Sequence, residues 1–126
     1  MSNNLVAVYG SLRKGLGNHR LLQHVDSHEV GRTVQKFELF SLGGFPCIVD
    51  AGEDDVVVEV YKVDDNTFRR LDGLEGYPYH YNRKVIDVNL EDGRVVNPWI
   101  YYYEERPKYH QGLVESGDWL EHVNSR

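Results

Sequence analysis

The stretch Asp64-Asp65-Asn66-Thr67-Phe68-Arg69-Arg70-Leu71-Asp72-Gly73-Leu74-Glu75-Gly76-Tyr77-Pro78 sets the reading of this chain. It has the form of a short amphipathic helix. Asp64, Asp65 or Asn66 can cap its start, Phe68 and Leu71 repeat at i and i+3, and Gly76 with Pro78 end it. Glu75 falls at i+7 from Phe68, so a helix that runs to its end turns a carboxylate toward the apolar face. Burying an unpaired carboxylate costs free energy and raises its pKa toward the range of a general base or acid. The alternative is a helix that stops one residue early and leaves Glu75 in solvent.

Immediately before this helix, Val56 to Val63 is β-branched and bounded by turn residues, the clearest strand in the chain. Beyond Pro78, Tyr79 to Leu90 and Val95 to Tyr103 are two strand candidates joined by Glu91-Asp92-Gly93-Arg94, an Asp-Gly hairpin signal that predicts antiparallel pairing. On the N-terminal side, Leu5 to Tyr9 is an apolar run expected to be buried on both faces, opening at Gly10 into the loop Gly10 to Asn18. Asn18 could cap a short helix over His19 to His24. Glu29 to Leu42 reads as one or two strands with Val34, Phe37, Leu39 and Phe40 inward, and Gly43-Gly44-Phe45-Pro46 is a turn. Cys47-Ile48-Val49 resumes an apolar run before an acidic turn at Gly52 to Asp55, and the tail Leu113 to Leu120 is expected to fold back on the body. Many strands around few helices predict an α+β fold with a curled or closed sheet.

The 126 residues suit one domain, and 40% apolar with 27% charged residues is ordinary for a globular protein. The net charge of −6 is spread along the chain with no Lys/Arg cluster, which argues against a nucleic-acid partner. No apolar run approaches a membrane span, and Met1-Ser2-Asn3-Asn4 leads into a strand without the form of a signal segment. The lone Cys47 excludes an internal disulfide, so the expected location is cytoplasmic. Oligomeric state is not legible.

Several features invite chemistry. The loop after the first strand holds Gly10, Gly15 and Gly17, which let backbone N–H groups face a common point and attract an anion. It lacks both the Gly-Lys-Ser/Thr ending of a P-loop and the third glycine of a dinucleotide fingerprint, so it is either a small-carboxylate pocket or a plain turn. His24 and His28 have an i, i+4 spacing but no helix spanning both, which favours surface histidines over zinc. Cys47 sits in Pro46-Cys47-Ile48-Val49 with no activating base and reads as core. In Trp99-Ile100-Tyr101-Tyr102-Tyr103, Tyr101 and Tyr103 share a face with Trp99, and one hydroxyl could bond a substrate or Glu75. Arg83 shares a predicted strand face with Tyr79 and Tyr81 and either pairs with an acid or is a surface charge.

Tyr9-Gly10-Ser11-Leu12-Arg13, Leu71-Asp72-Gly73-Leu74-Glu75-Gly76-Tyr77 and Tyr81-Asn82-Arg83 together resemble the γ-glutamylcyclotransferase, or AIG2-like, family. Gly44-Phe45-Pro46, Trp99-Ile100-Tyr101 and Glu115 to Leu120 are similar to its shorter bacterial members and its γ-glutamylamine cyclotransferase branch. The resemblance implies one cyclotransferase-like domain over residues 1–126, a compact mixed β-barrel with a few short flanking helices and a cavity at its mouth. It implies that Tyr9, Gly10, Ser11 and Leu12 bind the α-carboxylate of a γ-glutamyl group through backbone N–H groups, that Tyr101 lines the cavity, and that Glu75 is the catalytic acid/base. Arg83 carries over only as a structural neighbour.

That chemistry suits the residues. The substrate's own α-amine attacks its own γ-carbonyl and releases 5-oxoproline and an amine, a transferase or lyase reaction that calls for no cofactor, metal, Ser or Cys nucleophile. The expected partner is therefore a small γ-glutamyl amine or γ-glutamyl amino acid. The alternative is a module that keeps the fold and binds a small carboxylate or a protein partner without chemistry.

Overall fold

The computed structural model describes residues 4–25 and 28–125. The lead-in at Met1 to Asn3 lies outside the described residues. The strands are β1 (Leu5–Val8), β2 (Glu29–Thr33), β3 (Phe37–Ser41), β4 (Pro46–Asp54), β5 (Val57–Lys62), β6 (Asn82–Val85), β7 (Val88–Leu90), β8 (Val95–Val96) and β9 (Trp99–Tyr102). Helix α1 (Asp65–Glu75) follows β5, α2 (Trp119–Asn124) ends the described chain, and a 3-10 turn occupies His19–Leu22.

Seven strands form one sheet in the order β6-β9-β1-β5-β2-β7-β8, and β3 and β4 form a hairpin. Within the sheet β1 runs parallel to β9, and the other pairings are antiparallel. A bridge between Val49 and Tyr103 links the hairpin to the end of β9. The expected α+β mixed barrel is thus present as a curled half-barrel with few short helices.

Alternation along the strands divides the apolar side chains into two layers. Ala7, Val58, Val60, Val88 and Ile100 pack with Phe37, Ile48 and Trp119 on one face of the sheet. Val6, Val8, Tyr61 and Tyr101 pack with Leu12, Leu22, Phe68 and Leu71 on the other. β1 is buried on both faces, as its continuous apolar run predicts, because α1 covers one side and the β3–β4 hairpin closes the other.

Several boundaries differ from expectation for identifiable reasons. Tyr79 to Leu90 and Val95 to Tyr103 each break into two strands, the second at Asn97-Pro98, where proline supplies no N–H to a ladder. The β7–β8 hairpin turns where Asp92-Gly93 predicts, with Gly93 at φ +91°. The acidic segment expected as a turn continues β4 to Asp54; Gly52 lies so close to the Phe37 backbone, where the register shifts, that a side chain there would collide. Val34 is exposed rather than inward, because it sits in the turn after β2. Asn18 does not cap the 3-10 turn; its Nδ2 donates to Ser11 Oγ at 2.8 Å instead.

The tail does fold back. Gly117 adopts φ +70°, and its carbonyl accepts from Val57 N at 2.8 Å, directing the chain into α2 and burying Trp119. Asp118 caps α2 and also accepts from Arg13 Nη1 at 2.7 Å. Arg13 is buried, and its Nε donates to the buried Glu59 of β5 at 2.9 Å. Glu59 also accepts from Lys14 N at 2.9 Å and from the Tyr61 hydroxyl at 2.8 Å.

Removing one member of such a buried pair leaves the other charge uncompensated. Arg13→Met is therefore expected to lower stability by roughly 3–5 kcal/mol. Glu59→Gln added to that background should recover part of the loss. Denaturant midpoints of the two variants check both signs.

Candidate active site

The site begins with how α1 ends. Asp64 accepts from Thr67 N at 2.7 Å to start the helix, and Phe68 and Leu71 face the core. Gly76 stops it in the left-handed conformation, φ 66°, with its N–H directed to the carbonyls of Asp72 and Gly73. The helix therefore runs through Glu75, and the side chain turns inward, as its position in the apolar repeat predicts.

Glu75 lines a cavity of about 360 Å³. Its walls come from the end of β1 and the following loop, Ala7 to Leu12 with Asn18, from the turn into β4, Gly44 to Pro46, and from Leu74, His80, Tyr81 and Tyr101. All six residues singled out from sequence, Tyr9, Gly10, Ser11, Leu12, Glu75 and Tyr101, meet there although they span most of the chain.

The loop is shaped by its own hydrogen bonds. Arg13 N donates to Gly10 O at 2.9 Å, and Asn18 N donates to Ser11 O at 2.9 Å. Among the described residues, the N–H groups of Gly10, Ser11 and Leu12 have no protein acceptor. All three residues line the cavity.

Burial pushes the Glu75 carboxyl up to about 7, and among the described residues no protein group donates a hydrogen bond to it. Desolvation also holds the phenols of Tyr9, Tyr81 and Tyr101 protonated, well above the ordinary tyrosine range. Each hydroxyl is used elsewhere. Tyr9 donates to Tyr101 O at 2.7 Å, Tyr81 to Pro46 O at 2.6 Å, and Tyr101 to Asp72 Oδ1 at 2.7 Å. The Tyr103 hydroxyl lies 2.6 Å from His80 Nε2. Tyr101 lines the cavity as expected, but its hydroxyl bonds Asp72 and not Glu75.

Other readings resolve as follows. Arg83 is a half-buried clamp: its guanidinium stacks at 4.4–4.5 Å from the rings of Phe68, Tyr77 and Trp99, and its Nε is 3.3 Å from Asp72 Oδ1. It pairs with an acid, as one of its two readings had it. The strand face it was to share with Tyr79 does not form, because β6 begins at Asn82 and Tyr79 is exposed. Burial raises the Cys47 thiol to about 12, consistent with an inert core residue. His24 bonds Thr67 Oγ1 at 2.9 Å, and His28 stacks on Tyr61. Asn18, Pro46 and His80 were missed as cavity residues. Asp72 was missed too, although its place three residues before Glu75 on one helix was a signal.

The architecture is a curled half-barrel whose cavity is lined by both the Gly10–Leu12 loop and the half-buried Glu75. The gamma-glutamyl cyclotransferase, AIG2-like family pattern matches residues 6–121, and the chain belongs to that family. A Vibrio cholerae protein provisionally named a gamma-glutamylcyclotransferase is 39% identical over 95% of this chain and 98% of its own length. The gamma-glutamylcyclotransferase family protein YtfP of Escherichia coli K12 is 34% identical over 92% and 96%. The crystal structure of an AIG2-like protein from Mus musculus superimposes with a TM-score of 0.81 at 27% identity, covering 94% of this chain and 89% of that one.

The raised carboxyl has a consequence for stability with a definite sign. Glu75 prefers its proton in the folded state, about 7 against an ordinary 4.5, so this contribution is fully present below pH ~4.5 and is lost as pH rises through about 7. Glu75→Gln is expected to be more stable than wild type at pH 8.5, by no more than about 3 kcal/mol. The gap should close toward pH 4.5. Parallel denaturant titrations at the two pH values measure it.

Proposed function

We propose that the chain, acting over residues 1–126 as one domain, is a γ-glutamylcyclotransferase that cyclises a small γ-glutamyl amine or γ-glutamyl amino acid. The observation that supports this most is the pairing within one cavity of a donor-free carboxylate with a raised pKa and a loop of unpaired N–H groups. The names of the relatives agree with it.

In this reading the N–H groups of Gly10, Ser11 and Leu12 hold the substrate's α-carboxylate, and the cavity folds the glutamyl chain so that its amine meets its γ-carbonyl. Glu75 takes a proton from the α-ammonium. The freed amine nitrogen forms a bond to the γ-carbon, giving a tetrahedral centre. Protonated Glu75 then returns the proton to the departing nitrogen as the amide C–N bond breaks. The attacking nitrogen gives up its second proton by way of Glu75 to the released amine, leaving 5-oxoproline as a neutral lactam and a free alkylammonium. Nucleophile and electrophile reside in one molecule, so the reaction calls for no cofactor. The Cys47 thiol has no part in it. No described helix is long and apolar enough to cross a membrane, and the proposed cytoplasmic setting is compatible with the lone cysteine.

Release of 5-oxoproline from a panel of γ-glutamyl amines and amino acids tests the reading. Glu75→Gln should lower turnover by about 10²–10⁴-fold. In wild type, kcat/KM should rise with pH through a value near 7, because the base must be ionised. A folded protein inert on the whole panel, yet thermally stabilised by glutamate-like ligands, would point to the non-catalytic binding module instead.

A further inference from the structure

The surroundings of Glu75 contain more donors than the carboxylate uses. Tyr9 reaches the cavity from β1, Tyr81 and His80 from the segment before β6, and Tyr101 from β9, with Tyr103 beyond it. Any of the three cavity phenols would be a strong donor to an ionised carboxylate. Yet each is bonded to another acceptor: a backbone carbonyl for Tyr9 and Tyr81, a carboxylate for Tyr101.

The three acceptors are not equivalent. Tyr101 O and Pro46 O belong to the backbone and cannot be altered by substitution at their own positions. Asp72 is a side chain on the same helix as Glu75, one turn earlier, and it meets both the Tyr101 hydroxyl and Arg83 Nε. Arg83, set among three rings, lies beside the Asp72 carboxylate as an ion pair, its buried Nε 3.3 Å from Oδ1 without a hydrogen bond. The Asp72 carbonyl also accepts the closing N–H groups of Gly76 and Tyr77, so the same residue anchors the turn from which Glu75 projects.

We propose that Asp72 is a positioning residue that holds the Tyr101 phenol away from Glu75, keeping that carboxylate free of protein donors and available to the substrate's ammonium. The proposal rests on Glu75 being the proton-transfer group. Its structural core, the diversion of one phenol by one carboxylate, is open to test without catalysis. A hydrogen bond from Tyr101 to ionised Glu75 would stabilise the charged form, lower its proton affinity and weaken it as a base. Loss of Asp72 therefore damages the site by adding an interaction rather than by removing one.

The test follows the Glu75 side-chain carboxyl by carbon NMR through a pH titration. It compares wild type, Asp72→Ala, Asp72→Asn, Tyr101→Phe and the double variant Asp72→Ala/Tyr101→Phe. Asp72→Ala releases the phenol and should lower the Glu75 midpoint by about one pH unit or more. Asp72→Asn keeps an acceptor while removing the charge, so its midpoint should stay closer to wild type. Tyr101→Phe alone should change little, and in the double variant the midpoint should return toward wild type. That return separates a released donor from the mere loss of a neighbouring negative charge, which both Asp72 variants share.

An unchanged midpoint in Asp72→Ala overturns the proposal, and so does a fall that persists in the double variant. If Asp72→Ala does not fold because Arg83 is left uncompensated, Asp72→Ala/Arg83→Met with and without Tyr101→Phe gives the same comparison. Where 5-oxoproline release is measurable, the acid limb of its pH profile should move with the NMR midpoint. If no γ-glutamyl compound is turned over while the midpoints behave as stated, the catalytic reading fails and the positioning role stands.

Discussion

The arrangement depends first on Arg13. Its guanidinium joins Glu59 in the central strand β5 to Asp118 at the start of α2, so one buried cation ties the first loop, the middle of the sheet and the tail. Lys14 N adds a second tether from the same loop to Glu59. A glycine-containing loop would otherwise lose its shape easily, and a cradle of N–H groups is useful only if it holds one geometry before a ligand arrives. Buried ion pairs contribute little net stability once desolvation is counted, and their attested use is to select one arrangement over others. Here the contacts of Arg13 and Lys14 anchor the loop immediately after Gly10 to Leu12 at the cavity wall.

Two carboxylates, Glu59 fully buried and Glu75 half-buried at the cavity, differ in environment. Glu59 receives three donors, Arg13 Nε, Lys14 N and the Tyr61 hydroxyl, and is committed to structure. Glu75 receives none among the described residues, and burial alone raises its pKa to about 7. The same functional group is thus a fixed anchor in one place and is left without protein donors in the other. Residue type does not distinguish them; the count of donors does.

That distinction marks how far the amino-acid sequence could be read. Helix periodicity, the cap among Asp64 to Asn66 and the Gly76 stop are local, and they offered Glu75 either the inward face or, with a helix one residue shorter, solvent; the structure has the helix run through it. The Asp92-Gly93 hairpin and the faces of β9 were legible for the same reason. What escaped were partnerships across the sheet. Asn18 suits a helix cap in isolation but bonds Ser11, Arg83 is enclosed by three rings from two distant segments, and the Tyr101 hydroxyl goes to Asp72. Val34 looked inward by alternation, yet alternation ends where the ladder does.

The cavity's edges are set by what is absent as much as by what lines it. A Cβ on Gly10 would stand 2.7 Å from Pro46 Cδ, and one on Gly76 would stand 2.9 Å from His80 Cβ. Pro46 and His80 are both wall residues, and the Pro46 carbonyl is the acceptor that engages Tyr81. A side chain at Gly10 would press the hairpin turn away from the loop, while one at Gly76 would strain the helix stop and displace the segment carrying His80 and Tyr81. These two glycines let the loop meet Pro46 and the helix stop meet His80 at close range, so that the loop and Glu75 line one cavity. The proposed cyclisation would draw on such confinement, because holding the two ends of one flexible chain together adds to what proton transfer by a single protein group supplies.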